Sequence, residues 1–128
     1  MATTPVSDFV AVTLDASDAA RLGRFYAELT GGTFTDYPDY GFAEVEWGAI
    51  CFNFQTVADY QRPEWPGQEQ PQQSHLDFRV TEMDAAIALA TALGATLTDE
   101  QPGGDMWRVM LDPDGHPFCL CAPRPEAE

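Results

Sequence analysis

The chain has 128 residues and a formal net charge of −15, with six arginines and no lysine. This length is enough for one domain whose hydrophobic core needs no disulfide or metal to hold it. The charge argues against nucleic-acid binding, because an acidic surface repels a phosphate backbone; it is attributed to solubility, with steering of a cationic ligand as the alternative.

The location of the protein is predicted from its apolar runs and cysteines. No run approaches the ~20 apolar residues of a membrane span, and residues 1–8 lack the features of a signal peptide. We therefore expect a cytoplasmic protein with no membrane partner. Three cysteines, an odd number with no C-x-x-C pair, are predicted to be free thiols.

The chain contains an internal repeat. Residues 31–36 (GGTFTD) return as residues 94–99 (GATLTD), and the run FNFQ at 52–55 corresponds to FCLC at 118–121. Each copy has an alternating apolar stretch, a helix-like stretch, the Thr-x-Thr-Asp element and two short apolar runs, which predicts β-α-β-β-β twice. We expect an α+β fold of two βαβββ modules around a cavity, forming a single domain over 1–128. The modules are predicted at about 7–57 and 74–122.

The first half is predicted to hold one helix and four strands. Alternating apolar residues predict a strand over Phe9 to Leu14. Ser17 or Asp18 can cap a helix over about 17–30, which two glycines end. Three further strands are predicted at 32–36, 42–47 and 50–55.

The second half follows a stretch without periodicity. Residues 59–73 carry three prolines and are predicted to be a linker. Its Trp65 either packs over the seam between the sheets or covers the mouth of a pocket. After a strand from His75 to Val80, a helix is predicted over about 82–93, ending at Gly94. The last strands are predicted at 96–99, 106–111 and 117–121, with a β-turn at 112–115.

Four motifs carry a resemblance to a known family. They are DPDGHPFCL at 112–120, the stretch from Asp18 to Tyr26, SHLDF at 74–78, and the helix end LGA at 93–95. Together they resemble the glyoxalase/bleomycin resistance/dioxygenase group, the vicinal oxygen chelate superfamily, in its glyoxalase-like branch. The resemblance implies a paired βαβββ fold, a frequent homodimer and a small-molecule ligand. In the enzymes of the superfamily it also implies a divalent metal held by His and Glu side chains.

The resemblance also places the metal ligands of the family in this sequence. They fall on Ala11, Asn53, His75 and Cys119, of which only His75 keeps the residue type. His75 and Cys119 are weak candidate ligands, one short of a stable site unless Asp77 or Cys121 turns inward. A divalent metal is therefore possible but disfavoured, and we expect no cofactor.

Strand alternation separates two kinds of sheet face. One is apolar and is predicted to be covered by the helices: Val10, Val12, Leu14, Phe52, Phe54, Leu76, Phe78, Val80, Phe118 and Leu120. The other is unusually polar and is predicted to face the cavity: Ala11, Thr13, Cys51, Asn53, Gln55, His75, Asp77, Arg79, Cys119 and Cys121. The predicted ligand-binding residues are Asn53, Gln55, His75, Asp77, Arg79 and Cys119, with Trp47, Trp65 and Trp107 as candidate aromatic walls.

The roles of three candidates stay open at this point. His75, the candidate catalytic residue, is a metal ligand, a proton donor or a residue hydrogen-bonded within the cavity. Cys119 is a small apolar filler or a nucleophile. His116, which lies beside a turn, is expected to be structural or solvated.

Three functions are compatible with these residues. The leading hypothesis is a metal-independent pocket that sequesters a small compound, as in bleomycin-resistance-like proteins. The second is an enzyme of the lyase, isomerase or dioxygenase type that uses His75 as metal ligand or acid/base. The third is a structural or regulatory dimer whose cavity is filled by its own side chains.

Overall fold

The order β-α-β-β-β occurs twice along the chain. The computed structural model describes residues 4–72 and 74–124. The first copy comprises β1 (Val12–Ala16), α1 (Ala19–Thr30), β2 (Thr33–Tyr37), β3 (Phe42–Trp47) and β4 (Ile50–Thr56). The second copy comprises β5 (Leu76–Arg79), α2 (Met83–Ala92), β6 (Thr96–Leu97), β7 (Trp107–Leu111) and β8 (Pro117–Cys121).

The two copies form two four-stranded sheets of the same topology. Their strand orders are β1-β4-β3-β2 and β5-β8-β7-β6. In each sheet the first and last strands of the copy pair in parallel, and the other neighbours pair antiparallel. The α+β class and the two βαβββ modules predicted from the repeat are thereby confirmed.

Helix α1 begins and ends where its sequence predicts. The carboxylate of Asp18 accepts hydrogen bonds from the backbone N–H groups of Ala20 and Arg21, which the first turn of a helix otherwise leaves unpaired. At the other end Gly31 adopts a left-handed conformation, with φ at 82°, that glycine tolerates without strain.

The prediction for the first strand was wrong at its beginning. β1 pairs with β4 from Val12 to Ala16, so the strand starts three residues later and ends two residues later than predicted. Phe9 and Val10 lie outside the strand and are 80% and 79% exposed. Val10 is therefore the one predicted helix-covered residue that is not covered, whereas the others lie in the core or pack against it.

β6 is shorter than the predicted strand at 96–99 because a side chain takes over its pairing. The amide of Gln101 donates to the backbone oxygen of Val109 and accepts from the N–H of the same residue, both at 2.9 Å. A glutamine side chain thus supplies the hydrogen bonds that a longer β6 would give to β7.

The two modules share one hydrophobic core. Tyr26 of α1 stacks on Phe54 of the first sheet, with ring centroids 5.6 Å apart. The same ring lies 6.2 Å from Phe78 and 6.1 Å from Phe118 of the second sheet. Aromatic pairs at these separations add to the stability from burial alone. The helix-covered faces of both sheets therefore meet around one tyrosine, and each open face remains accessible for a site.

Candidate ligand-binding site

A pocket of about 420 Å³ lies on the open face of the second sheet. Its walls come from β5, β7, β8, the linker and the loop before β7. The lining residues are Trp65, Gln72, His75, Asp77, Pro102, Trp107, Val109, Pro117, Cys119 and Cys121. Five of them were predicted ligand-binding residues: Trp65, His75, Asp77, Trp107 and Cys119.

The floor of the pocket is polar because of the strand register. Asp77 of β5 lies beside Cys119 of β8, and both point away from Phe78 and the core because side chains alternate along a strand. His75 precedes β5, and its Nε2 lies 3.4 Å from Oδ1 of Asp77. The sequence therefore correctly predicted that imidazole, carboxylate and thiol meet on one face.

The Cys119 thiol is held in its protonated form. Burial, together with the negative charge of Asp77 and a hydrogen bond to that carboxylate, raises its pKa to about 12. A cysteine is nucleophilic only as thiolate. The metal-free site therefore gives Cys119 no activation as a nucleophile.

The donor atoms of the floor can be tested for a metal. One ligand atom each of His75, Asp77 and Cys119 lies within 4.8 Å of the others, so Asp77 supplies the third donor that the sequence left in question. Nitrogen, oxygen and sulfur from three side chains fit Zn²⁺, which takes three protein ligands in catalytic sites. Hard cations fit less well, since they prefer several oxygens and this group has one carboxylate.

Two indole rings wall the pocket. Trp65 comes from the linker and Trp107 from the start of β7, and both line the pocket. The Trp107 ring lies so close to Gly103 that a β-carbon there would overlap the indole. The absence of a side chain at Gly103 therefore allows the Trp107 ring to occupy this position.

Gln72 was missed as a site residue. The sequence assigns it to the linker, but it lines the pocket, and its buried Oε1 has no hydrogen-bond partner within the described residues. A buried acceptor without a donor is destabilising. The signal available in the sequence was its position three residues before His75, where the linker must return to the open face.

Asn53 and Gln55 lie outside this pocket, on the open face of the first sheet. The Asn53 side-chain oxygen accepts from the Cys51 thiol at 3.5 Å, and the Gln55 amide donates to Asp15 at 2.8 Å. Gln55 also lines a separate hollow of about 410 Å³, together with Tyr37, Tyr40, Phe42 and Glu44. The helix-covered faces join the two modules, so the two open faces do not meet in this pocket.

Trp47 and Arg79 do not line the pocket either. Trp47 shares the strand face of Val45, and its ring lies 5.9 Å from that of Phe78 at the edge of the core. Because side chains alternate along a strand, the spacing of two residues from Val45 would have predicted that Trp47 lies on the core side of β3. The guanidinium of Arg79 donates to the backbone oxygen of Ala122, and this contact holds it at the end of β5.

A buried polar cluster joins the modules behind the pocket. The Tyr26 hydroxyl donates to Asp112 at 2.6 Å, and Asp114 accepts from the Ser17 hydroxyl at 2.7 Å and from Arg21 at 3.1 Å. Burial raises the pKa of Asp112. It also raises the pKa of Tyr26, as does the nearby Asp112 charge. These bonds tie α1 to the turn between β7 and β8.

His116 belongs to this cluster. It is 3% exposed, and its Nε2 lies 2.6 Å from the backbone oxygen of Asp15 and 3.1 Å from the Tyr60 hydroxyl. Because a carbonyl oxygen only accepts, Nε2 carries the proton and donates to it. His116 is therefore a structural residue between the modules, one of the two states expected for it.

Comparison with known proteins agrees with this architecture. Residues 11–121 match the family model described as glyoxalase-like domain. The chain belongs to this family and, as its motifs predicted, to the vicinal oxygen chelate superfamily. No curated protein matches it. No helix in the described residues is long and apolar enough to cross a membrane.

Solved structures share the fold at low sequence identity. A glyoxalase/bleomycin resistance protein/dioxygenase family enzyme from Burkholderia phytofirmans is 21% identical, with a TM-score of 0.65 over 88% of this chain and 95% of that one. A glyoxalase/bleomycin resistance protein from Albidiferax ferrireducens is 24% identical, with a TM-score of 0.62 over 91% and 98%. The fosfomycin resistance protein FosX from Listeria monocytogenes, complexed with Mn(II) and sulfate, is 18% identical, with a TM-score of 0.69 over 93% and 92%.

Proposed function

We propose that the protein binds a small organic compound in the pocket of the second sheet and sequesters it without a metal. One observation carries the proposal: a pocket of about 420 Å³ has two indole walls and a floor of His75, Asp77 and Cys119. Small-molecule sites commonly have ~300–1,000 Å³, mostly apolar walls and a few converging polar groups. The size argues against a cavity filled by its own side chains.

The chemistry of the floor favours binding over covalent catalysis. Burial and the negative charge of Asp77 keep the Cys119 thiol protonated, so it is not activated as a nucleophile. His75 and Asp77 are half exposed, at 40% and 58%, and available to a ligand. They serve as hydrogen-bonding groups that orient a bound molecule.

A thermal-shift screen of small aromatic compounds tests this function. A ligand at 100 times its dissociation constant adds about 2.7 kcal/mol to the free energy of unfolding. Compounds that stabilise the wild type are expected to lose this effect in Trp107→Ala and keep it in Tyr40→Ala, which changes an 83% exposed aromatic residue in the turn between β2 and β3. Stabilisation that survives Trp107→Ala for every compound would contradict the proposal.

The three-donor cluster favours one second candidate, an enzyme with Zn²⁺ at His75, Asp77 and Cys119. Bound there, the metal would supply Lewis acidity to a substrate oxygen. Its binding requires loss of the Cys119 proton, so zinc affinity should rise with pH. His75 and Asp77 would complete the three-ligand set with the Cys119 thiolate.

Elemental analysis of protein prepared without chelator decides between the two candidates. One equivalent of zinc that is absent from His75→Ala and Cys119→Ser, but present in the control Cys51→Ser, would make the metalloenzyme the better function. Cys51 is a suitable control because it lies on the other sheet. Zinc content independent of His75 would leave the sequestering function in place.

The proposal also includes the state and location of the protein. We propose a cytoplasmic homodimer of single-domain chains that binds neither nucleic acid nor membranes. The three cysteines are free thiols, in keeping with a reducing compartment. The exposed Phe9 and Val10 offer apolar surface for a second copy.

A further inference from the structure

The described lining of the pocket contains one carboxylate and one imidazole, Asp77 and His75, which lie 3.4 Å apart. Among the described residues that line the pocket, Asp77 is the one carboxylate and none is an arginine. Arg79 lies near enough to offset part of the raised pKa of Cys121, but its guanidinium donates to the Ala122 carbonyl. Since the net charge is −15, the field of the whole molecule adds to that of Asp77.

Two hydrogen-bonding groups of the pocket, the side chains of Gln72 and Asp77, offer acceptor oxygens to a ligand. The Gln72 Oε1 is buried and unpartnered within the described residues, and Asp77 accepts through both oxygens. The Cys119 thiol hydrogen is already given to Asp77. A ligand that enters this site therefore meets acceptors that need N–H or O–H donors.

The walls of the pocket favour a flat ligand. Trp65 and Trp107 present indole rings, and Pro102, Pro117 and Val109 complete an apolar lining. Aromatic surface of this kind binds flat rings by stacking, and it attracts cations through the ring quadrupole, most strongly for Trp.

We infer that the ligand of this pocket is a flat organic cation with N–H donors, of the amidinium or protonated N-heterocycle class; this rests on the proposed sequestering function. Its ring packs between the two indoles, and its N–H groups reach Gln72 and Asp77. An anionic compound of the same shape is disfavoured, because it meets a carboxylate and an unpaired carbonyl oxygen. The described lining offers it no arginine.

Three compounds of one shape test the charge and donor preference. They are 2-naphthamidine (a cation with donors), 2-naphthamide (neutral with donors) and 2-naphthoate (an anion without donors). Calorimetric titration at low salt and about pH 8, where histidine side chains are typically neutral, is expected to rank their affinity in that order. The amidine should bind about tenfold or more tighter than the naphthoate, and the gap should narrow as salt screens the charge.

Variants assign the preference to residues. Gln72→Met keeps the length of the side chain but removes its acceptor, and Asp77→Asn removes the charge. Each is expected to weaken the amidine about three- to tenfold. Asp77→Asn should also narrow the difference between amidine and naphthoate, whereas Asp36→Asn, an equal charge change at an exposed position of β2, should not.

The outcomes separate this inference from the function on which it rests. Naphthoate binding as tightly as the amidine and lost in Trp107→Ala would overturn the cation class and leave a small-molecule pocket. Amidine binding unaffected by Trp107→Ala or by both variants would overturn the inference, because the cation would then be held elsewhere. Failure of all three compounds to bind would also overturn it, and the broader screen decides the function separately.

Discussion

Asp112 places an ionisable side chain in the interior of the protein. Asp112 is 1% exposed, yet its carboxylate accepts hydrogen bonds from Tyr26 and from two backbone N–H groups, of Asp114 and His116. These bonds partly compensate the desolvation of the group. The remaining effect is a carboxyl whose pKa lies above its ordinary value of 3.8, which makes stability depend on pH.

The sign of that dependence follows from linkage. Because burial raises the folded-state pKa of Asp112, the native protein holds this proton more tightly than the unfolded chain. The contribution of Asp112 to stability is present below pH 3.8 and is lost as the pH rises through the raised pKa. Asp112→Asn lacks this loss, so the free energy of unfolding of the variant minus that of the wild type should increase as the pH rises above about 4.

Urea unfolding at several pH values measures this difference. Asp36→Asn, at an exposed position, is the matched control and should show a small change with pH. A difference between Asp112→Asn and wild type that stays constant over the whole range would contradict the buried-carboxylate explanation.

Gly103 controls the position of a pocket wall. A β-carbon there would overlap the rigid indole of Trp107, so Gly103→Ala is expected to displace Trp107 and weaken ligand binding. Stability should change little, because Trp107 is 41% exposed. Gly67→Ala is the control, since its added carbon would come no closer than 3.8 Å to another atom. Equal ligand affinity in both variants, measured by titration, would disprove this role of Gly103.

At the scale of elements, α1 depends on its first turn. Asp18→Ala removes the acceptor for the N–H groups of Ala20 and Arg21, and such a loss typically destabilises a protein by about 1 kcal/mol. Since α1 carries Tyr26 into the shared core, the change should lower the stability of the whole chain in one transition. Denaturant unfolding checks this, and a midpoint equal to that of the wild type would contradict it.

Local patterns predicted the elements well, and partner contacts explain where they failed. The alternation of side chains predicted which residues of β4, β5 and β8 face the core. It also predicted that His75, Asp77 and Cys119 share one face. The start of β1 failed because the pairing of Phe9 and Val10 depends on a neighbouring strand, which alternation does not specify. β6 is short because Gln101 replaces it, a tertiary effect that no local propensity reveals.

The sequence also does not show how the two modules pack, and this limited the prediction of the site. The sequence treated both open faces as one cavity, so Asn53 and Gln55 were grouped with His75. Which faces of two sheets meet is decided by packing between modules, here around Tyr26. Gln72 was missed because a linker has no periodicity from which the direction of a side chain can be derived.

At the scale of the whole molecule, we predict a homodimer. Light scattering at micromolar concentration is expected to give twice the 14.1 kDa mass of the chain. Val6, Phe9 and Val10 are 73–80% exposed beside the edge strand β1, and burial of such apolar surface favours association. The double change Phe9→Ser and Val10→Ser should shift the mass towards that of a monomer. A monomeric wild type would contradict the prediction.

Tyr26 stands in one copy of the repeat, yet its ring touches phenylalanines of both. A single ancestral copy, freed from its neighbour, would leave those rings in water and would have needed an identical chain to cover them. With both copies in one chain, this encounter is intramolecular and takes place at a far higher effective concentration than between two molecules. The side chains of the two copies differ: the second has His75 directly before its first strand, and the first has Ala11 at the corresponding position. The two copies thus share one backbone topology, whereas the polar groups of the candidate site lie in the second copy.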